Sequence, residues 1–260
     1  MPAQLTVHRF GPDGPIQVLA IHGLTGHGAR WGHLASHLPE VSVAAPDLLG
    51  HGHSSWAAPW SIEANVCALA ALIDEQADGP VLVVGHSFGG ALALQLAAAH
   101  PQAVAGLILL DPAAGLDGDW ARQIAEAMFA SPDYTSPAEA RTEKATGSWA
   151  DVDPSILDAD LAAHLIRRSN GRYGWRVCLP AMMAYWSELA RPVALPHAGT
   201  PTVLIRATRT TPAYVTDTLI NDLRDRLGSD FDHLDIDCDH MVADAKPAEV
   251  TALIRAQLAR

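Results

Sequence analysis

The stretch Val83-Val84-Gly85-His86-Ser87-Phe88-Gly89-Gly90 constrains this chain more than any other. The apolar run Val81 to Val84 predicts a buried strand, and the alanine-rich text beginning near Gly90 predicts a helix. Ser87 falls at the corner between them, with Gly85 and Gly89 on either side. Small neighbours let the backbone pass closely on both sides, which leaves the hydroxyl standing clear of the sheet. A chance glycine and serine turn is the alternative, but it does not require strand, serine, second glycine and long helix in that order.

Such a corner needs a sheet around it, and the remaining text supplies one. Further strands are predicted at Val18 to Ile21, Val41 to Ala45, Gly106 to Leu110, Thr202 to Ala207 and His233 to Asp237, with Leu5 to Phe10 at an edge. Helices are predicted over Trp31 to Leu38, from a Ser61 cap to Asp74, from the serine corner to His100 before Pro101, around Val215 to Leu227, and over Glu249 to Leu258. This alternation gives an α/β fold class, a mostly parallel sheet covered on both faces by helices. From Gly118 to about Leu195 the text is helical, broken by Ser131-Pro132, Ser136-Pro137 and Asp153-Pro154, with no convincing strand. The expected organisation is a core of residues 1–115 and 196–260 with a helical cap, 116–195, inserted between them. Trp120, Trp149, Trp175 and Trp186 fall in that insertion with Met182, Met183 and Tyr185, either as the cap's own core or as the roof of a pocket.

Composition narrows the partners. A formal net charge of -12, with no arginine or lysine cluster, argues against nucleic acid and anionic membrane and leaves a small-molecule substrate as the expected partner. The three cysteines, Cys67, Cys178 and Cys238, lack paired spacing, which argues against a disulfide framework and fits a reducing compartment. Met1 to Phe10 carries no basic segment followed by an apolar run, and no stretch approaches a membrane span. A cytoplasmic location is the expectation.

A serine hydroxyl needs a base within hydrogen-bond reach, normally an imidazole oriented by a carboxylate. Among 13 histidines, His240 is selected because Cys238-Asp239-His240-Met241-Val242 follows the last predicted strand, whose carboxyl end lies on the same sheet edge as Ser87. His86 is assigned to supporting the turn. The orienting carboxylate is less determined. Asp111 ends the strand after the serine strand, Asp217 is the next choice, and Asp239 is too close in sequence to reach behind its neighbour's ring. For the developing oxyanion, the backbone amides of Phe88, at a helix start, and of Leu24, in the turn His22-Gly23-Leu24, are the expected donors. The glycines of this loop are not spaced as a dinucleotide or P-loop motif, so no cofactor is expected. His51 and His53, near Asp47, form the one cluster with a metal-like look, but further converging ligands are not identifiable and no metal is expected.

Taken together, His22-Gly23-Leu24, Pro46-Asp47-Leu48-Leu49-Gly50-His51-Gly52-His53-Ser54, Gly85-His86-Ser87-Phe88-Gly89-Gly90 and Asp239-His240 resemble the α/β-hydrolase family, and within it the capped serine esterases and lipases. The resemblance implies a serine hydrolase with Ser87 as nucleophile, His240 as base, Leu24 and Phe88 as oxyanion donors, and Asp47 in a structural turn. One departure stands out. Most members carry the acid after the strand that follows the cap, where this chain reads Ile205-Arg206-Ala207-Thr208-Arg209-Thr210-Thr211-Pro212 without an aspartate or glutamate. Some members place it after the preceding strand, where Asp111 lies. The expected reaction is hydrolysis of a carboxylic ester of a small or medium apolar acyl group through an acyl-serine. Thioester, lactone and carbon-carbon hydrolysis use the same serine, and a non-catalytic ligand-binding protein on this scaffold is the alternative of another class.

Overall fold

Short aliphatic runs, each closed by a glycine, proline or aspartate turn, set the frame. The structure is a computed structural model describing residues 4–260; Met1 to Ala3, which open the expected core segment, lie outside the described residues. In chain order come β1 (Val7–Phe10), β2 (Val18–Ile21), a short α1 (Gly32–Ala35), β3 (Val43–Pro46), α2 (Ile62–Gln76), β4 (Val81–His86), α3 (Phe88–Ala99) and β5 (Val104–Leu110). Then follow α4 (Gly118–Ala130), α5 (Pro137–Thr146), α6 (Pro154–His164), β6 (Leu165–Arg167), β7 (Tyr173–Trp175) and α7 (Leu179–Leu189). The chain closes with β8 (Thr202–Ala207), α8 (Asp217–Leu227), β9 (Phe231–Ile236), α9 (Val242–Ala245) and α10 (Pro247–Leu258).

The main sheet has the order β1-β3-β2-β4-β5-β8-β9. Every pairing is parallel except that of β1 with β3. All six residues of β4 are buried, as a central strand covered on both faces must be. Its side chains alternate between two apolar layers. Val81 and Val83 belong to the layer that includes α2 and α3, while Leu82 and Val84 belong to the layer of Trp31, Leu34, Val250 and Ile254. Ser61 caps α2 by accepting the Ala64 amide at 3.1 Å. The expected helix from Trp31 to Leu38 is instead a 3₁₀ turn, Gly28–Trp31, followed by the single turn of α1.

Between β5 and β8 the chain leaves the sheet and forms the helical cap. It is not all helix. β6 and β7 make an antiparallel hairpin, extended by a bridge between Tyr134 and Tyr173. The expectation of no strand there fails because each strand has three residues, too few to show a period, and the signal that remained was the turn Asn170-Gly171, with Gly171 at φ +84°. Among the described residues no helix is long and apolar enough to cross a membrane.

Candidate active site

β4 ends at His86 and α3 begins at Phe88, so Ser87 alone must turn the chain. It does so at φ 54°, ψ -118°, a conformation that costs a non-glycine residue about 1–3 kcal/mol unless its surroundings over-determine it. They do. The Ser87 amide donates to the Leu110 carbonyl at 3.1 Å, and its own carbonyl accepts from Gly90 at 2.8 Å and Ala113 at 3.0 Å. The flanking glycines are steric requirements: a Cβ on Gly85 would lie 2.4 Å from the Gly89 carbonyl oxygen, and one on Gly89 would lie 2.2 Å from that of Ile21.

The loop after β2 lies against this corner. A Cβ on Gly23 would stand 2.9 Å from the Ser87 Cβ, which puts the Gly23-Leu24 backbone beside the serine. His22 shapes the loop: its Nδ1 donates to the Gly23 carbonyl at 2.8 Å and its Nε2 accepts the Leu48 amide at 3.0 Å. Burial, then the neighbouring His51, holds the His22 pKa well below the usual imidazole range, so the ring is neutral. Thr25 takes φ +60° and Gly26 closes the turn by donating to Gly23 at 3.0 Å. Across the loop, Asp47 accepts from the amides of Gly28 at 2.7 Å and His53 at 2.8 Å and from His8 at 3.2 Å. Although burial opposes ionisation, these donors hold its carboxyl far below the usual range. Asp47 thus ties together the loops around the site.

The loop after β9 carries His240 to the same edge. Its Nδ1 donates to Asp111 Oδ2 at 2.6 Å, which fixes the tautomer that leaves Nε2 as an acceptor. Asp111 is buried at φ +42° at the end of β5. It also accepts the Ala207 amide at 3.1 Å and the Thr210 hydroxyl at 3.3 Å. Ala207 is the last residue of β8 and Thr210 lies in the loop after it. His86 Nε2 donates to the His240 carbonyl at 2.8 Å and the two rings lie 4.6 Å apart, while the Tyr214 ring packs 4.5 Å from His240 on another side. Burial, then the neighbouring His240, depresses the His86 pKa, which keeps that ring a neutral donor.

Ser87, His86, His240, Gly23 and Leu24 line one cavity of about 500 Å³, large enough for a small to medium organic molecule. The cap roofs it with Ile124, Met128, Tyr134, Lys144, Trp149 and Trp175. Of the four cap tryptophans, Trp149 and Trp175 therefore face the pocket. Met182 and Tyr185 are cap core instead, with the Tyr185 hydroxyl donating to the Leu49 carbonyl at 2.9 Å. Cap and core are also joined through Asp160, which accepts from His27 at 2.9 Å and from Arg30 at 2.9 and 3.3 Å.

The other candidates lie elsewhere. Asp217 is 87% exposed and paired with Arg206 at 2.9 Å, away from His240. The Asp239 amide donates to Asp151 at 2.7 Å. His51 is buried against Tyr185 and His22 whereas His53 is exposed, and among the described residues no three His, Cys, Asp or Glu side chains converge as a metal-binding group. Thr210, Tyr214, Lys144 and Arg168 were not anticipated at the site. A threonine, a tyrosine or a single cation carries no motif, and only the absence of an acid after β8 hinted that this loop had another task.

Fold, elbow and the paired histidine and aspartate define one class, and the chain belongs to the alpha/beta hydrolase family, whose model matches residues 18–253. A close relative is Lipase LipV of Mycobacterium tuberculosis, 64% identical over 258 residues that span 99% of each chain. Among solved structures, E-2-(acetamidomethylene)succinate hydrolase superposes with a TM-score of 0.83 at 19% identity, covering 98% of this chain and 95% of its own. A marine microorganism esterase gives 0.76 at 22% identity over 98% and 99%. At those identities the structures speak for the fold alone.

Proposed function

We propose that this protein is a serine hydrolase of the carboxylesterase or lipase type, acting on esters of small to medium apolar acyl groups. The observation that carries the reading is the 2.6 Å bond from His240 Nδ1 to the buried Asp111, formed on the sheet edge where the strained elbow presents Ser87 to the same cavity. In the mechanism, His240 Nε2 takes the proton of Ser87 as the hydroxyl attacks the ester carbonyl. Asp111 holds the ring and stabilises the imidazolium. The amides of Phe88, the first residue of α3, and of Leu24 meet the oxyanion. His240 then protonates the departing alkoxide, and water activated by the same nitrogen releases the acid. The 64% identity to a protein named a lipase over the whole chain supports the ester as substrate.

We take the cap as 116–195, a division supported by the Leu116 amide donating to the Leu189 carbonyl at 2.9 Å, which joins entry to exit. A cytoplasmic location is assigned on Cys67, Cys178 and Cys238, all three free thiols. A ligand-binding protein without catalysis has no need for the Asp111 and His240 pair. The test is hydrolysis of chromogenic esters graded from acetyl to long acyl chains by wild type and S87A. Turnover that peaks at one acyl length and disappears in S87A is expected; equal rates for the two proteins on every ester would remove the reading.

A further inference from the structure

The roof of the cavity is not uniformly apolar. Lys144, on α5, has a side chain only 11% exposed, and its Nζ lies 4.2 Å from the Trp175 ring centroid and 4.7 Å from that of Trp149. Two aromatic faces stabilise an ammonium by their quadrupoles but accept none of its three strong donors at full strength. Among the described residues its one ion-pair partner within 4 Å is Asp160, whose Oδ2 lies 3.6 Å away, beyond ordinary hydrogen-bond length, while His27 and Arg30 make the shorter 2.9 Å contacts to Oδ1. Lys144 therefore faces the cavity with donors to spare.

A second cation lies on the same wall. Arg168 follows β6, and its guanidinium rests on the hairpin backbone where a Cβ on Gly174 would come within 2.3 Å of Nε. The nearest acid in its field is Asp133, which is itself paired with Arg172. The one acidic residue lining the cavity, Glu143, accepts the Tyr134 hydroxyl at 2.8 Å. Arg30 is compensated by Asp160. Positive charge thus remains at Lys144, beside the faces of Trp149 and Trp175, and at Arg168, which is offset only at longer range by Asp133.

Building on the esterase reading, we propose that the cap end of the Ser87 cavity is a carboxylate subsite centred on Lys144 and flanked by Arg168, so that the preferred substrate is an ester carrying a carboxylate remote from its scissile bond. A monoanion fits better than a phosphate dianion, because Asp160 and Glu143 offset part of the positive charge. Lys144 is held down to about 8, first by burial, then up by Asp160 and down by Arg30, with Asp244 also raising it. Asp160 on α6, Arg30 before α1, Asp244 on α9 and Glu143 on α5 itself are the charged groups facing it. A lysine near 8 is charged at neutral pH and loses its charge as pH rises above that value.

The experiment is calorimetric titration of S87A with monomethyl adipate and with methyl hexanoate, alongside hydrolysis of both by wild type. Tighter binding of the half-ester by about tenfold or more is expected, as for a new charge-assisted hydrogen bond. The ratio falls towards one in the S87A protein carrying K144M, and falls in S87A itself between pH 7 and pH 9. A purely structural lysine would shift both ligands equally and leave the ratio unmoved. Equal affinity for the two ligands at pH 7 overturns the subsite, and this holds even where K144M does not fold. A tenfold preference with no hydrolysis of either ester by wild type would keep the subsite and remove the esterase reading instead.

Discussion

The floor and the roof of the cavity are built on different principles. The floor is backbone: an elbow, a glycine loop and two strand ends, resting on a sheet whose central strand is wholly buried. α3, which starts at the elbow, buries nine residues, whereas α4 and α5 of the roof bury one each, Ala121 and Ala140. α7 anchors the cap by apolar burial through Met182, Tyr185, Trp186 and Leu189, whereas α5 and α6 over the cavity are tied in by charge, with Asp160 meeting Arg30 at 2.9 Å and Lys144 at 3.6 Å. Apolar burial is indifferent to pH and positions atoms through many small contacts. A few buried charges are sensitive to both pH and mutation. The proposed chemistry thus rests on backbone and apolar burial, and the proposed recognition on a few buried charges.

The largest expected effect comes from the floor. S87A and H240A should each lower kcat by about 10⁴-fold or more, with melting temperatures close to wild type, since neither side chain holds the sheet together. D111N should follow at about 10³- to 10⁴-fold, because the amide keeps the shape but no longer fixes the tautomer of His240. D217N should change kcat by less than about threefold, as it loses a surface pair with Arg206. A full loss in D217N with a mild one in D111N would move the acid and break the account of the floor.

The same division explains what was legible in the sequence. The floor follows local grammar: glycines on both sides of a serine, apolar runs of strand length, and an aspartate and a histidine each placed just after a strand. Parallel strands end on one edge, so the order of residues already brought Asp111 and His240 to the same side. The roof follows no such rule. Lys144 meets Trp149 across a single turn but meets Trp175 only through a hairpin whose strands are too short to read, and nothing in Arg168 distinguishes it from any exposed arginine. Thr210 and Ala207 reach Asp111 across 99 and 96 residues, a separation at which pattern carries no information.

A substitution in the roof gives the next effect. Asp160 is 3% exposed and touches His27, Arg30 and Lys144. D160N leaves two buried cations without their counter-charge, which costs about 3–5 kcal/mol. Because the loss falls on the cap, limited proteolysis should open α4 and α5 first, and KM should rise more than kcat falls. Cleavage that begins in the core segments would show that cap and core melt as one unit, and the contrast between floor and roof would fail.

The smallest effect tests the polar exception behind the floor. Asp244, on α9, is 5% exposed and lines a small void with His22, His86 and Arg30. Burial first, opposed by Arg30 and helped by Asp160, raises its pKa from 3.8 to about 7. For an acid whose folded pKa exceeds the unfolded one, the folded state holds the proton more tightly. Stability therefore declines as pH rises from about 4 to 7 and stays at the lower level above that. D244N carries no proton to lose, so its stability relative to wild type should grow by about 2–3 kcal/mol between pH 5 and pH 8. Chemical denaturation at those two pH values measures the difference. A constant gap would mean that Asp244 stays ionised beside Arg30, and that the floor, like the roof, depends on a buried ion pair.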